Sequence, residues 1–314
     1  MLNRRHLRIK VLQAIYSHFQ SDGDNLKVEE DNMITSIEKI YDLYLYQLAI
    51  MVEMHHEAYK EREEMRSKYF PTEDDLKPET NFTLNKVLQI ISNSESFKRM
   101  LNQKKVSWQN NLELVRKIFR KLRTTTEYKE YLKKPKTTFD EDREFIMMIY
   151  KKFIFDDDIV ESYYEELNIH WTDDIFVVNS GILKTLKGIQ LGQHLELIEL
   201  YKDKHEDREF VLDLFRKTII HSEEYEEWIK NKAQNWELER IAIMDILLMK
   251  MALCEVLEFP NIPIKVTLNE YIEISKSFST PKSNAFINGI LDKLVADLRE
   301  QGRIQKTGRG LIES

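Results

Sequence analysis

Apolar residues recur at helical spacing along almost the whole chain. Leu7, Val11, Ala14, Ile15 and Phe19 follow the i, i+4, i+7, i+8 rule of one buried face, which predicts a first helix to about Gln20, stopped by Ser21, Asp22, Gly23 and Asp24. Met33, Ile34, Ile37, Tyr41, Tyr44, Leu45, Leu48 and Val52 continue a similar stripe towards Tyr69, predicting a long second helix that ends before Pro71. The polar stretch 71–81 holds two prolines and reads as a linker. Two amphipathic stretches follow, about 84–100 and 111–132, and then a loop with Lys133, Lys134, Pro135 and Lys136. No further proline occurs before Pro260. Asn261 and Pro263 mark a break, and Val266 to Phe278 predicts another helix. Ser279, Thr280 and Pro281 supply a cap and an N1 proline for a final helix ending near Arg299. The tail from Gln301, with three glycines, is expected to be disordered. Strand-like alternation is almost absent, so the expected class is all-α.

The middle of the chain repeats itself. Glu141 to Phe145 reads EDREF and so does Glu206 to Phe210, an offset of 65 residues. Without a gap, Lys152 then matches Lys217, Ile154 matches Ile219, Glu161 matches Glu226, Trp171 matches Trp236 and Leu183 matches Leu248. Agreement across two helices and a tryptophan favours a duplicated helical hairpin, residues 141–187 and 206–252, over chance similarity between amphipathic segments.

Composition removes several function classes. Eight glycines and six prolines in 314 residues are under 5% of the chain, against roughly 12% in ordinary usage. That disfavours turn-rich β-sandwiches and the glycine loops of Rossmann and P-loop sites. With 54 acidic and 47 basic side chains the formal charge is −7, so nucleic-acid binding, if present, has to be local. The basic start MLNRRHLRIK has no apolar core of signal-peptide length behind it. The most apolar stretch, Ile241 to Leu257, is short and interrupted by Asp245, Lys250 and Glu255, which predicts a buried helix rather than a membrane span. With the lone Cys254, these features point to a cytoplasmic protein with no membrane association.

Catalytic chemistry finds no support. Glu53 and His56 form one E-x-x-H step, but a di-iron bundle needs two such steps and further carboxylates; solvated side chains account for His55 and His56. Cys254 lies among apolar residues and reads as a core thiol. Gly308-Arg309-Gly310 has no helix behind it to make a phosphate loop. No cofactor or metal is expected. The informative feature is the start, where Arg4, Arg5, Arg8 and Lys10 occupy the first turns of a helix whose dipole already places positive charge there. Such a cluster makes sense if an anion sits against it, and a nucleic-acid backbone is a common one.

Several ordered motifs then resemble one family. Asn235-Trp236-Glu237-Leu238-Glu239-Arg240-Ile241-Ala242, Asp245, Pro263-Ile264-Lys265-Val266 with Asn269-Glu270, Ser275-Lys276-Ser277-Phe278, and Phe286-Ile287-Asn288-Gly289-Ile290-Leu291-Asp292-Lys293 are similar to the NusB family of bacterial transcription antitermination factors, as is Arg4-Arg5-His6-Leu7-Arg8 leading to Leu12-Gln13-Ala14-Ile15-Tyr16. The resemblance covers about residues 1–66 and 206–300. It implies a NusB-like helical bundle in two subdomains, with a helical insertion over 67–140, an extra hairpin copy over 141–205, and the tail 301–314 outside it. It further implies a non-enzymatic factor that pairs with the ribosomal small-subunit protein NusE and binds single-stranded boxA RNA of nascent ribosomal transcripts within the elongation complex.

Carried over by position, the resemblance assigns phosphates to Arg4, Arg5 and Arg8, bases to Tyr16 and Phe286, and the partner surface to Asp245. Tyr16 would equally complete the apolar face of its helix, and Phe286 the core. His6 departs from an often basic position and weakens the charge there near neutral pH; Lys282 adds charge before the last helix and is expected to strengthen RNA contact. The alternative is a helical interaction scaffold that kept the fold without RNA binding. A methyltransferase reading lacks a glycine-rich cofactor segment.

Overall fold

The computed structural model describes residues 1–21, 25–70, 72, 80–233 and 242–311. Among the described residues there are fourteen α-helices and no strand, as the apolar spacing predicts. They are α1 (Arg4–Gln20), α2 (Leu26–Arg66), α3 (Lys86–Asn93), α4 (Glu95–Lys104), α5 (Leu112–Arg123), α6 (Thr126–Lys133), α7 (Phe139–Tyr150), α8 (Asp158–Leu167), α9 (Ile175–Gly188), α10 (Lys204–Ile220), α11 (Ser222–Lys232), α12 (Ile243–Glu258), α13 (Ile264–Phe278) and α14 (Ser283–Glu300). The two long amphipathic stretches, about 84–100 and 111–132, each divide. Ser94 ends α3 and caps α4 through its hydroxyl, and Thr125 does the same for α6, accepting from the Tyr128 N–H.

The helices form two compact units, Glu38–Leu200 with Met1, and Leu2–Ile37 with Tyr201–Ser314. One boundary between the units falls within α2, after Ile37. The reason lies in the apolar stripe of α2. Ile40, Leu43, Tyr44, Leu45 and Leu48 are buried in the Glu38–Leu200 unit, where two indoles fasten the same helix. Trp108 Nε1 donates to the Tyr46 carbonyl and Trp171 Nε1 to that of Lys39, each at 3.0 Å. Elsewhere in this unit Phe82 packs against Phe119, Tyr128 and Phe145.

The other unit gathers α1, the first turns of α2 and α10–α14. Leu7, Val11, Leu12 and Ile15 of α1 are fully buried, while Phe19, expected on the same face, is 40% exposed beneath the Lys250 ammonium. Arg8 of α1 meets Glu255 and Phe19 meets Lys250, so α1 runs antiparallel to α12. The last helix starts two residues later than expected. Pro281 lies in the turn before it, which closes with Ser283 N–H on the Thr280 carbonyl at 2.9 Å.

Burial follows the 65-residue offset. Ile146, Ile149, Tyr150, Val160, Tyr164, Ile182 and Leu186 are buried, and so are their counterparts Val211, Leu214, Phe215, Tyr225, Ile229, Leu247 and Met251. Asp142 and Asp207 of the two EDREF segments are both buried and accept backbone N–H groups, Asp142 from Lys86 and Asp207 from Lys202 and Asp203. These equivalences support a duplication. The segments also differ, since a π-helical turn, Lys151–Phe155, follows α7 where α10 continues. Trp171 is buried; Trp236, its expected counterpart, lies outside the described residues with the rest of the motif 235–241.

The tail up to Leu311, expected to be disordered, is packed along the turn between α12 and α13. Thr307 N–H donates to the Pro260 carbonyl at 3.0 Å, and Lys306 Nζ donates to the carbonyls of Phe259 and Glu255 at the end of α12. Gly310 has the backbone of Pro260 where a Cβ would stand, 1.9 Å from its carbonyl oxygen. Residues 306–310 therefore form a fitted strap, with Gly310 used for close approach rather than for freedom. Burial pushes the Lys306 amine down from its ordinary 10.5 to about 8. Below pH 8 this lysine is charged in both docked and undocked chains. Between about 8 and 10.5 only the undocked tail keeps its proton, so docking should strengthen as pH rises through that window. Hydrogen exchange of the Thr307 amide, corrected for its intrinsic pH dependence, is expected to show increasing protection there; a Lys306→Gln protein with the same trend would contradict the assignment.

Candidate nucleic-acid interface

The arginine-rich start is capped by its own side chains. Asn3 Oδ1 accepts the His6 N–H at 3.0 Å, and His6 Nδ1 accepts the Asn3 N–H at 3.3 Å. Burial, and then the neighbouring Arg5, lowers the His6 pKa, which favours the neutral imidazole that this exchange needs. With no acidic residue in the first turn of α1, the dipole penalty has to be met from elsewhere. The anions inferred for this helix end are carboxylates of the protein.

Arg8 is 3% exposed and forms a fork with Glu255, Nε to Oε2 at 2.7 Å and Nη2 to Oε1 at 2.6 Å. Glu255, fully buried, also accepts from Thr267 Oγ1 at 2.8 Å and Tyr271 OH at 3.1 Å. The expectation that Arg8 contacts RNA phosphate is therefore corrected: its guanidinium is in the core. Arg4 and Arg5 remain partly exposed. Arg4 Nε lies 3.2 Å from Asp207, with its guanidinium over the Phe210 ring at 4.4 Å. Arg5 pairs in a fork with Glu270, both contacts 2.8 Å, and that pairing lowers the Glu270 pKa and raises that of Arg5.

These side chains border an open groove of about 990 Å³. Its charged lining is mixed, with Arg4, Arg5, Arg8 and Arg309 facing Glu206, Glu209, Asp213, Glu258 and Glu270 over a floor that includes Phe210, Phe259 and Ile262. Arg309 arrives from the strap. No pattern in the sequence singles it out as part of a groove, since the glycines on either side of it suit a disordered tail equally well.

The remaining expected contacts do not line this groove. Tyr16, 40% exposed, is twelve residues beyond Arg4, or about 18 Å along the helix at 1.5 Å per residue. Because α1 is antiparallel to α12, Tyr16 points towards the end of α12 that holds Asp245. Lys282, exposed, occupies the N-cap position of α14, and Phe286 is half-buried one turn further on. Arg4 and Arg5 therefore lie at one end of α1 and Tyr16 towards the other, while Lys282 and Phe286 stand at the start of α14.

Asp245 is not on an open surface. It is 4% exposed, and its carboxylate accepts from the hydroxyls of Ser279 and Ser283, the latter at 2.7 Å. Expected on the partner surface, it fastens the turn between α13 and α14 to the first turn of α12. His55 is corrected from solvated to buried, with Nε2 2.9 Å from the Thr83 carbonyl oxygen, whereas His56 is exposed beside Glu53. Cys254 is buried, and burial pushes its thiol up to about 12. Among the described residues no cluster of three or more His, Cys, Asp or Glu side chains is placed to hold a metal, and no helix is long and apolar enough to cross a membrane.

A model of the NusB family matches residues 179–296. Over 105 residues the chain is 50% identical to a protein of Salinibacter ruber named transcription antitermination protein NusB, covering 33% of this chain and 66% of that one. Like-named proteins of Chloroherpeton thalassium and Geobacter sulfurreducens are 40% identical over 106 residues and 39% over 116. The chain spans half the length of the first of these and 84% of the second, and each match takes up about a third of this chain. No solved structure matches it. The family model runs through α12, α13 and most of α14, whose side chains hold Arg5 and Arg8 in place, and the Geobacter relative is matched over most of its length; the chain belongs to the NusB family.

Proposed function

We propose that the protein is a transcription antitermination factor that binds single-stranded boxA-type RNA of nascent ribosomal transcripts together with the ribosomal protein NusE, within the elongation complex. The observation that carries this reading is the identity of 39–50% to three proteins named for transcription antitermination. Arg4, Arg5 and Lys282 serve the phosphates, and Tyr16 and Phe286 the bases; Arg8 positions the start of α1 from within the core. Given the separation along α1, a bound strand runs lengthwise beside that helix rather than across one end. The residues between the two family-like parts, with the repeated hairpin, form an insertion.

A gel shift with boxA-like RNA, with and without NusE, tests the reading. Arg4→Ala or Arg5→Ala should each reduce the magnitude of the log-log salt slope by about 0.7. Tyr16→Ala should cost roughly 1–3 kcal/mol with the slope unchanged. The scaffold reading is favoured by one observation, that the three arginines of α1 already have carboxylate partners. An absence of RNA binding in both arms, with NusE still bound, would establish that alternative.

A further inference from the structure

The insertion carries the densest positive charge in the protein. Residues 96–137 hold thirteen lysines and arginines against three glutamates, a net +10 in a chain whose total is −7. Some of these cations are accounted for locally. Arg120, Lys121 and Arg123 lie in the last turn of α5, where they complement the helix dipole, and Arg116, Lys121 and Arg123 have carboxylate partners. Lys117, Lys129, Lys133 and Lys136 are different. All four are exposed, and among the described residues none has a carboxylate within ion-pair distance.

Three elements bring this charge to one end of the Glu38–Leu200 unit. Arg116 and Arg123 of α5 reach Glu57 and Glu61 of α2 at 2.9 and 2.6 Å, so the two helices run side by side in the same direction. The Asn81 amide donates to the carbonyls of Tyr131, Leu132 and Lys134 at the end of α6. Two residues on, Thr83 accepts from Arg62 of α2 at 3.0 Å. The ends of α2, α5 and α6 therefore converge. Just beyond the end of α2 stand Tyr69 and Phe70, 90% and 84% exposed, edge to face with ring centroids 4.7 Å apart. Two adjacent rings left in water beyond α2, at the end of the unit where α6 delivers Lys133 and Lys136, are the ingredients of a stacking platform for single strands.

We propose that this end of the insertion is a second RNA-binding surface, with lysines of α5 and α6 on the phosphates and Tyr69 and Phe70 against unpaired bases. It rests on the reading of the protein as an RNA-binding factor, and it extends the contact beyond the family's portion of the chain. An acidic protein would use the lysines but leave the rings without a role. The surface reads no sequence of its own, because stacking and phosphate contact are both sequence-tolerant. Its effect is to hold transcript flanking the specific element.

The test uses the full chain and a labelled, unstructured RNA of about twelve nucleotides lacking boxA, with a boxA RNA in parallel. Lys117→Gln, Lys129→Gln and Lys133→Gln together should weaken binding of the flanking-type RNA about tenfold or more and reduce the magnitude of the salt slope by about 2. Tyr69→Ala with Phe70→Ala should weaken it at least about fivefold with the slope unchanged. All five side chains are exposed, and circular dichroism confirms that the fold is kept. Unchanged affinity in the lysine variant overturns the inference. Loss of boxA binding in an Arg4→Ala, Arg5→Ala protein, beside an unaffected lysine variant, would leave the family reading standing alone. Equal competition by polyglutamate, with no effect from removing the two rings, also overturns it and assigns the surface to acidic polypeptide. A wild-type chain that binds neither RNA overturns both readings.

Discussion

Glu255→Ala should destabilise the unit built from Leu2–Ile37 and Tyr201–Ser314 by about 3–5 kcal/mol, the cost of leaving a buried charge without its partner. Arg8 is 3% exposed and cannot turn its guanidinium to water without opening the α1–α12 contact. Thr267 and Tyr271 lose the same acceptor. Arg8→Met combined with Glu255→Leu should recover a large part of the loss, because an apolar pair of similar volume avoids the desolvation of both ions. Recovery should stop short of wild type, since the two hydroxyls stay unpaired at about 1–3 kcal/mol each. Urea denaturation of the full chain measures all three proteins. A Glu255→Ala loss under about 1 kcal/mol, or a double variant no more stable than the single one, would contradict the account.

Asp245→Ala should cost about 3 kcal/mol, because two hydroxyl groups donate to this one carboxylate and hydrogen bonds to charged groups are worth about 1.5–3 kcal/mol each. Asp245→Asn should cost less, as it keeps an acceptor oxygen. Ser180, at the position matched to Asp245 by the 65-residue offset, is exposed and bonds only its own helix, at the Phe176 carbonyl. Ser180→Ala should be close to neutral. Any weakening of a NusE complex by Asp245→Ala should then scale with loss of folded protein, seen by thermal unfolding beside calorimetry. Weaker partner binding from a fully stable Asp245→Ala protein would return the residue to the partner surface.

The helices were legible because their signal is local. Leu7, Val11, Leu12 and Ile15 alternate with polar residues at the helical period, and the structure buries them. The site was legible only in part. That the basic start of α1 needs an anion follows from the helix dipole, but which anion depends on what α10, α12 and α13 place beside it, and those residues are 200 or more positions away. A charged residue in an apolar helix was the available clue. Glu255 sits inside the stretch that predicts burial, and a buried carboxylate demands a cation. Asp245 offered the same clue, with serines as the answer. The strap was not legible in the sequence because Gly308 and Gly310 suit disorder as well as close packing, and the Pro260 carbonyl decides between them. Phe19 failed the simple periodic rule because an ammonium, rather than hydrocarbon, covers it.

The three arginine pairings of α1 also bear on how the sequence can change over evolution. Arg4 with Asp207, Arg5 with Glu270 and Arg8 with Glu255 tie one short segment to three distant helices. The buried pair cannot drift one residue at a time, since replacing Arg8 or Glu255 alone strands the other away from water, while the partly exposed Arg4 and Arg5 pairs are freer to change. Among relatives these positions should change in pairs, and the Arg8–Glu255 pair most strictly because it has no access to water. A chimera that takes its first helix from a relative should therefore need the matching acidic residues from the same donor.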